Sequence, residues 1–327
     1  MKVATTAVAF ASMWLAATIL PGQAAASTYP AKPVTLVVPY PPGGPIDAIT
    51  RAVGAKLGER WKQAVNVENK PGGSEVIAAQ LVSGAAPDGY TILVAGDSSV
   101  ATNLFTFKKL AYDPVKDFAP VLRMASFNMA FVVPGDMSVG SMAEFLDHAK
   151  ARPASLTFGS AGQGGPVQFS YTDLHRVTGV ELNFIPYQGL APIIVDMVGG
   201  RIDSTFGAIA PLLPHIESGK LKALALGGGS RSKALPDVPT FNELGLEGID
   251  ASFYIGLVVP AKTPRDIIDF LASEVRTVMR DPAFVAATID PYAVELVADD
   301  PESFGAFLVQ NRKQQAERVK ISGYQPN

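Results

Sequence analysis

The stretch VTLVVPYPPGGPID, residues 34–47, decides how the first part of this chain folds. Its apolar, β-branched run at 34–38 predicts a buried strand, and the three prolines that follow end this strand. Apolar residues then recur every three or four positions over 46–61, which predicts an amphipathic helix. Gly43 and Gly44 join the strand to this helix and let a ligand approach the backbone closely.

The start of this helix is suited to an anion. Pro45 fits a first helical turn, where its missing N–H would have had no partner. The first N–H groups of a helix point outward with partial positive charge, so strand, glycine turn and helix start predict an anion seat without Lys or Arg. Asp47 lies two residues inside the helix. This arrangement indicates binding, because it contains no catalytic group.

Composition limits the possible partners. The chain has 327 residues, which is enough for two domains with sizeable cores. Its hydrophobic content of 48% is ordinary for a globular protein, and its formal net charge is -3. No basic run is present, which argues against nucleic acid and against an anionic membrane surface.

Residues 1–26 are predicted to be a cleaved signal peptide. Lys2 precedes an apolar stretch over 3–20, and Ala24-Ala25-Ala26 offers a cleavage site. A transmembrane anchor is the rival interpretation, but the stretch is rich in Ala and Thr and lacks a charge at its far end. Without Cys there is no lipid-anchor thiol and no disulfide. The mature protein is therefore expected to be exported and not embedded in the membrane.

Strands and helices alternate from residue 34 onward, which predicts an α/β fold of parallel sheets with helices on both faces. The predicted strands are 34–39, 65–68, 90–95, 130–134, 156–159, 182–186, 202–206, 221–226 and 252–259, and the predicted helices include 45–61, 75–83, 141–150, 191–198, 264–280 and 301–319. The chain therefore divides into two α/β lobes, and the closing helices are expected to return to the first.

Four further loops rich in glycine or serine follow predicted strands and precede predicted helices. They are PGGSE at 71–75, GDSS at 96–99, GSAGQGG at 159–165 and PYQG at 186–189. Ligands in open α/β sheets bind beyond the carboxyl ends of the strands, so these loops predict a polar crevice between the lobes. Ordinary turn chemistry is the alternative for any one loop.

Catalytic patterns are sparse. His148, His175 and His215 lie far apart in sequence, and none belongs to a nucleophile, metalloprotease or phosphate-binding motif. We therefore predict no enzyme activity, no metal site and no cofactor. Several aromatic residues lie near the loops and form either ligand walls or core; they are Tyr40, Phe127, Tyr187, Phe206 and Tyr254.

Eight motifs together resemble one known family over nearly the whole mature chain. They are VVPYPPGGPID at 37–47, ENKPG at 68–72, APDGYT at 86–91, YDPVKDFAPV at 112–121, GSAG at 159–162, PYQG at 186–189, LPHI at 213–216 and LPDVPT at 235–240. In order and spacing they are similar to the Bug family, the extracytoplasmic solute receptors of tripartite tricarboxylate transporters.

The resemblance implies a two-lobed periplasmic-binding fold of type II, with the ligand cleft between lobes that close on it. Lobe 1 is expected to comprise 27–130 plus 252–327, and lobe 2 to comprise 131–251. The resemblance also implies a monomer in the periplasm that holds a small carboxylate and meets the membrane permease subunits of the transporter.

The same resemblance places Gly43, Gly44 and Asp47 in the first-lobe loop that fixes a carboxylate, and Ser160, Gly162 and Tyr187 in the second-lobe wall. The complete set of candidate ligand-binding residues is Tyr40, Pro42, Gly43, Gly44, Asp47, Ser74, Glu75, Asp97, Ser98, Ser160, Gly162, Tyr187 and Phe206.

Glu75 and Asp97 are departures from the family pattern, because they place acidic groups near the expected carboxylate seat. Glu75 either points to solvent at the start of a helix, where the helix dipole favours it, or meets a cationic or hydroxyl group of the ligand.

The predicted function is thus an exported receptor that captures a small organic acid and delivers it to a membrane permease. Two alternatives stay open. One is a receptor that signals to a membrane kinase, and the other is an exported enzyme that uses Ser160 or Asp47 on a similar acid.

Overall fold

A computed structural model describes residues 29–161 and 165–326, so the leader at 1–26 and the candidate Gly162 lie outside the described residues. The strands are β1 (Val34–Val38), β2 (Val65–Asn69), β3 (Thr91–Gly96), β4 (Phe118–Pro134), β5 (Thr157–Ala161), β6 (Asn183–Tyr187), β7 (Ser204–Ala208), β8 (Leu221–Leu226), β9 (Ser252–Pro260) and β10 (Glu295–Leu296). The α-helices are α1 (Pro45–Trp61), α2 (Val76–Ser83), α3 (Asn103–Thr106), α4 (Met142–Lys150), α5 (Pro166–Thr178), α6 (Leu190–Val198), α7 (Ile209–Glu217), α8 (Arg265–Met279), α9 (Pro282–Phe284) and α10 (Pro301–Ser322).

The strands form two groups, called here the first unit and the second unit, and the long strands β4 and β9 connect them. In the first unit, the order is β2-β1-β3-β9-β4, with β1 parallel to β2 and β3, and β9 antiparallel to β3 and β4. In the second unit, β4 pairs with β7 and β8, and β5 lies parallel to β6 and β7. The predicted α/β class is confirmed. The lobe boundaries at 130 and 252 stay a prediction.

Strand β4 is the largest difference from the expected elements. The apolar pattern predicts a strand only over 130–134, whereas β4 extends from Phe118 to Pro134. Its register with β9 shifts between Pro120 and Leu122 and again between Arg123 and Ala125. Such irregularities break the period of two by which a strand is recognised in sequence.

The core of the first unit follows the helical pattern of α1. Ile49, Val53 and Leu57 are buried on one face of this helix, four residues apart, and belong to the same cluster as Leu36 of β1. Burying a side chain of this size contributes about 1.5–3 kcal/mol. The cluster therefore fixes where α1 starts relative to the end of β1.

Helix α10 connects the two units through a buried ion pair. Arg318 donates from Nη2 and Nε to Asp173 Oδ2 of α5, at 2.6 and 2.9 Å. It also donates to the backbone oxygen of Asp250, just before β9. Arg318 and Asp173 are both almost fully buried. The position of α10 thus depends on charges brought together from both units.

Removing one partner of this ion pair should strongly destabilise the protein. Arg318→Met leaves Asp173 buried with only its longer 3.4 Å ion pair to the exposed Arg176, and we expect a loss of about 3–5 kcal/mol in the free energy of unfolding, measured by urea denaturation. Adding Asp173→Asn should recover part of this loss. Lys313→Met on the exposed face of α10 is the matched control. Equal stability of the Arg318 and Lys313 variants would contradict a structural role for the pair.

Within 29–161 and 165–326, no helix has both the length and the apolar character needed to cross a bilayer.

Candidate functional site

A cavity of about 280 Å³ lies between the two units. From the first unit it is lined by Tyr40, Glu75, Asp97 and Ser98, from the second unit by Ala161, Pro166, Val167, Leu190, Phe206, Gly207 and Ala208, and from the connecting strands by Met129 and Phe253. Most of these residues lie at strand ends or in the turns that follow them. This is the location that the glycine and serine loops predict.

Asp47 holds the glycine turn that precedes α1. Its Oδ2 accepts a hydrogen bond from the Gly43 N–H at 2.9 Å and one from Arg51 Nε at 3.0 Å. Its Oδ1 accepts from Asn69 Nδ2 of β2 at 2.8 Å. Gly43 has φ +88°, a conformation that favours glycine. Asp47 therefore holds the backbone turn that forms the predicted seat. A Cβ built on Gly44 meets no atom within 4 Å, so the space in front of this residue is open.

The surroundings of Asp47 favour its charged form. Desolvation by burial raises the pKa of this carboxyl, but the hydrogen bonds from Arg51, Gly43 and Asn69 outweigh it, and the net pKa is lowered. A carboxyl with a lower pKa in the folded state stabilises the fold at pH values above its unfolded pKa. This stabilisation is lost as the pH falls through the folded pKa.

Asp47→Ala should destabilise the protein by about 1–3 kcal/mol at pH 7, because the Gly43 N–H and Asn69 Nδ2 lose their shared buried acceptor. The difference from wild type should shrink as the pH falls below about 4, the unfolded pKa of Asp, and it should be smallest once the pH has fallen through the lower folded pKa. Urea unfolding at a series of pH values measures it. Asp269→Ala, at an exposed carboxylate of α8, is the control. A pH-independent difference would contradict the ionised role of Asp47.

Glu75 is buried in the cavity wall, with 6% of its surface exposed. Its Oε1 accepts from the Tyr40 hydroxyl at 2.5 Å, and its Oε2 accepts from the N–H groups of Gly96 and Ser99 at 3.1 and 3.0 Å. The interpretation in which Glu75 points to solvent is therefore wrong. Ser74 and Glu75 have φ of 51° and 72°, so Glu75 precedes α2 instead of starting it.

This left-handed backbone is costly for residues other than glycine, at about 1–3 kcal/mol each. The hydrogen bonds of the Glu75 side chain and a 2.7 Å hydrogen bond from Asn103 Nδ2 to the Ser74 oxygen hold it in place. Strain of this kind is typical of ligand sites.

Burial raises the pKa of Glu75, and the nearby Asp97 carboxylate adds to the rise, although hydrogen bonds from Ser99 and Tyr40 oppose it. Burial and the Glu75 carboxylate also raise the pKa of the Tyr40 hydroxyl. Tyr40 therefore stays a hydrogen-bond donor to Glu75 at neutral pH.

Asp97 is the second acidic residue of the wall. Its Oδ2 accepts from the Thr102 hydroxyl at 2.5 Å, and its Oδ1 lies 3.4 Å from Gln315 Nε2 of α10. Burial raises the pKa of Asp97, while Thr102 and the Arg318 charge lower it. Asp97 thus connects the cavity to the helix that carries the interunit ion pair.

The second-unit candidates differ in position. Phe206 lines the cavity and also packs on Phe131 at a ring distance of 5.1 Å, so it is both wall and core. Ser160 is fully buried at the end of β5 and does not line the cavity. Tyr187 donates to Asp196 Oδ2 of α6 at 2.6 Å, which turns its hydroxyl toward the helix.

The structure thus brings some candidates together and leaves others outside the lining. Those in the lining are Tyr40, Glu75, Asp97, Ser98 and Phe206, and those outside it are Pro42, Gly43, Gly44, Asp47, Ser74, Ser160 and Tyr187. Ligand binding by each of these residues stays a prediction.

Four large apolar wall residues were not among the candidates. Two had a signal in the sequence, because Leu190 directly follows the loop at 186–189 and Val167 lies two residues after the loop at 159–165. Met129 and Phe253 lie where β4 and β9 connect the units, and only the tertiary structure brings them to the cavity.

The lining combines a few polar side chains with apolar walls. The lining residues named above include no Lys, Arg or His, and the described part of the chain contains no group of three or more His, Cys, Asp or Glu placed to hold a metal ion. The polar groups present are two carboxyls, a phenol and a serine hydroxyl, with apolar walls around them.

Comparison with known proteins gives one consistent result. The profile described as "Tripartite tricarboxylate transporter family receptor" matches residues 49–322. Protein BugT of Bordetella pertussis is 30% identical over 321 residues, which cover 98% of both chains.

Two solved structures share the fold. A protein of R. palustris solved with adipate has a TM-score of 0.79 and 28% identity, covering 91% of this chain and 100% of that one. MatC from Rhodopseudomonas palustris, solved with bound malate, has a TM-score of 0.74 and 27% identity, covering 89% and 100%. The likeness extends over both units.

Proposed function

Because the chain belongs to the tripartite tricarboxylate transporter receptor family, as its resemblance to the Bug receptors predicted, we propose that it captures a small organic acid between its two units and presents the closed form to membrane permease subunits. The observation that carries this proposal is the cavity at the strand ends, to which both units contribute walls. Relatives of the same fold bound to adipate and malate support a carboxylate as the ligand.

The carboxylate is assigned to the seat at the start of α1. Gly44 is open to a ligand, and Asp47 fixes the turn without occupying the space in front of it. The positive end of the helix dipole favours an anion here. The dipole acts within the first turn of the helix, and the seat lies at this turn. The seat therefore requires no basic side chain to hold an anion.

The two units are expected to close on the ligand, because both of them contribute walls to the cavity. A ligand that contacts both units binds the closed arrangement better than the open one, and it shifts the population by that difference in affinity. Strands β4 and β9 connect the units and are the expected hinge. The closed surface is what permease subunits would recognise.

The proposal includes export to the periplasm through the predicted leader at 1–26, action as a monomer, and binding without turnover. The lining residues named above pair no nucleophile with a His or Lys base, which favours binding over catalysis.

Isothermal titration of the mature protein with mono-, di- and aromatic carboxylates tests the function. We expect saturable binding of at least one acid below millimolar, and recovery of that acid chemically unchanged after long incubation. If none binds, the receptor function is contradicted. If the acid is consumed, the enzyme alternative replaces it.

A side chain at Gly44 should block the seat without unfolding the protein. Gly44→Val has room for its Cβ, and its φ of -80° is accessible to valine, so we expect a change in Tm of only a few degrees but at least a tenfold loss of affinity for the acid. Gly229→Val, at an exposed glycine with equal room, is the matched control. Unchanged affinity of folded Gly44→Val would remove this turn from the site.

A further inference from the structure

The wall of the cavity is acidic on its first-unit side, which is unusual for a carboxylate receptor. Glu75 and Asp97 both contribute to this wall, and no lining residue named above is basic. Each carboxylate can accept about four hydrogen bonds. Tyr40, the N–H groups of Gly96 and Ser99, and the Ser99 hydroxyl all donate to Glu75, but none of these donors carries the positive charge that would balance the carboxylate.

Asp97 retains acceptor capacity. It accepts a short hydrogen bond from Thr102, a second from Asn311, and a long one of 3.4 Å from Gln315. The hydrogen bond from Gln315 to Oδ1 is weak, because hydrogen bonds weaken at that distance. A cationic donor on a ligand would meet both carboxylates in the cavity wall.

The side chain of Gln315, next to Asp97, also carries an acceptor that lacks a donor in the part of the chain that the structure describes. Gln315 is 2% exposed, and its Oε1 has no hydrogen-bond partner among the described residues. Leaving a buried acceptor unpaired is unfavourable, whereas a donor brought by a ligand would add to the local hydrogen-bond network. One buried acceptor next to Asp97 is thus left without a donor from residues 29–161 and 165–326.

The remaining walls are apolar. Large side chains from the second unit and from the connecting strands surround the space between the acidic wall and the second unit; they are Met129, Val167, Leu190, Phe206 and Phe253. An apolar body fits them, because such surfaces gain free energy when water is displaced from them.

Resting on the function proposed above, we infer that the ligand is an amino-carboxylic acid with an apolar spacer. Its carboxylate occupies the seat at Gly44, and its ammonium group donates to Glu75 and Asp97. The same two carboxylates select against a second carboxylate on the ligand, because like charges repel strongly in a site shielded from water.

The raised pKa of Glu75 is consistent with this assignment, since burial without a cation opposes its charge. An ammonium ligand would supply that cation. Opposite charge within about 4–6 Å favours the charged form of a carboxyl.

Two matched sets of probes test the inference on the full mature chain. The linear set is 6-aminohexanoate, hexanoate and adipate, and the ring set is 4-(aminomethyl)benzoate and terephthalate. Within each set the carbon skeleton is similar and only the far end changes. For the wild type we expect the amino acid to bind at least tenfold more tightly than the dicarboxylate.

The variants Glu75→Gln and Asp97→Asn remove charge with little change of shape. Glutamine keeps a carbonyl for Gly96 and Ser99 and gains an amide N–H₂ that can donate to the Tyr40 oxygen. In each variant we expect affinity for the amino acid to fall at least tenfold and affinity for the dicarboxylate to rise. Glu59→Gln, an exposed charge change on α1, should leave both affinities unchanged. Thermal unfolding shows that each variant is folded.

The outcomes separate this inference from the proposed function. If adipate or terephthalate binds the wild type as tightly as its amino counterpart, or if neither variant alters the order, the inference is overturned and the receptor function stands. If none of the probes binds the wild type or the variants, the inference is also overturned. Failure of the whole carboxylate panel overturns both.

Discussion

The buried carboxylate of Glu75 joins the loops that form the first-unit half of the cavity. Tyr40 reaches it from the turn after β1, and the N–H groups of Gly96 and Ser99 reach it from the end of β3. A buried charge is tolerated only when donors surround it, so this carboxylate imposes the positions of all three segments. The same group is then both the organising contact of these loops and part of the cavity wall.

The second constraint is the way in which the units are connected. Strand β4 pairs with β9 in the first unit and continues into the second unit, where it pairs with β7 and β8. Met129 and Phe253 lie on these crossing strands and line the cavity, so a change of angle between the units also moves the cavity wall. Arg318 limits that movement because it holds Asp173 of α5 from α10. The cavity wall, the connecting strands and the ion pair therefore all depend on the angle between the two units.

Part of this structure was predictable because it is set by interactions between residues that are close in sequence. The helical period over 46–61 and the turn at Gly43 and Gly44 are set by neighbouring residues, and α1 begins at Pro45 as expected. The length of β4 was not predictable, because bulges disturb its alternation. The orientation of Glu75 was not predictable either, since its partners lie 21 to 35 residues away in sequence. Strand ends indicated where the site lies, but long-range hydrogen bonds decide which groups face it.

The family fold and the acidic wall determine different properties of the site: its place in the molecule and its choice of ligand. The fold fixes where a ligand would lie, because loops at the strand ends of both units surround the cavity whatever the exact chemistry of the ligand. The side chains on those loops decide what is bound, and a residue such as Glu75 changes the charge of the wall without moving a strand. In the inferred pose, the carboxylate of the ligand meets the N–H groups at the start of α1 and its ammonium group meets the acidic wall. A ligand with unlike ends is then held in one orientation, since reversing it would place each end against its own kind of group.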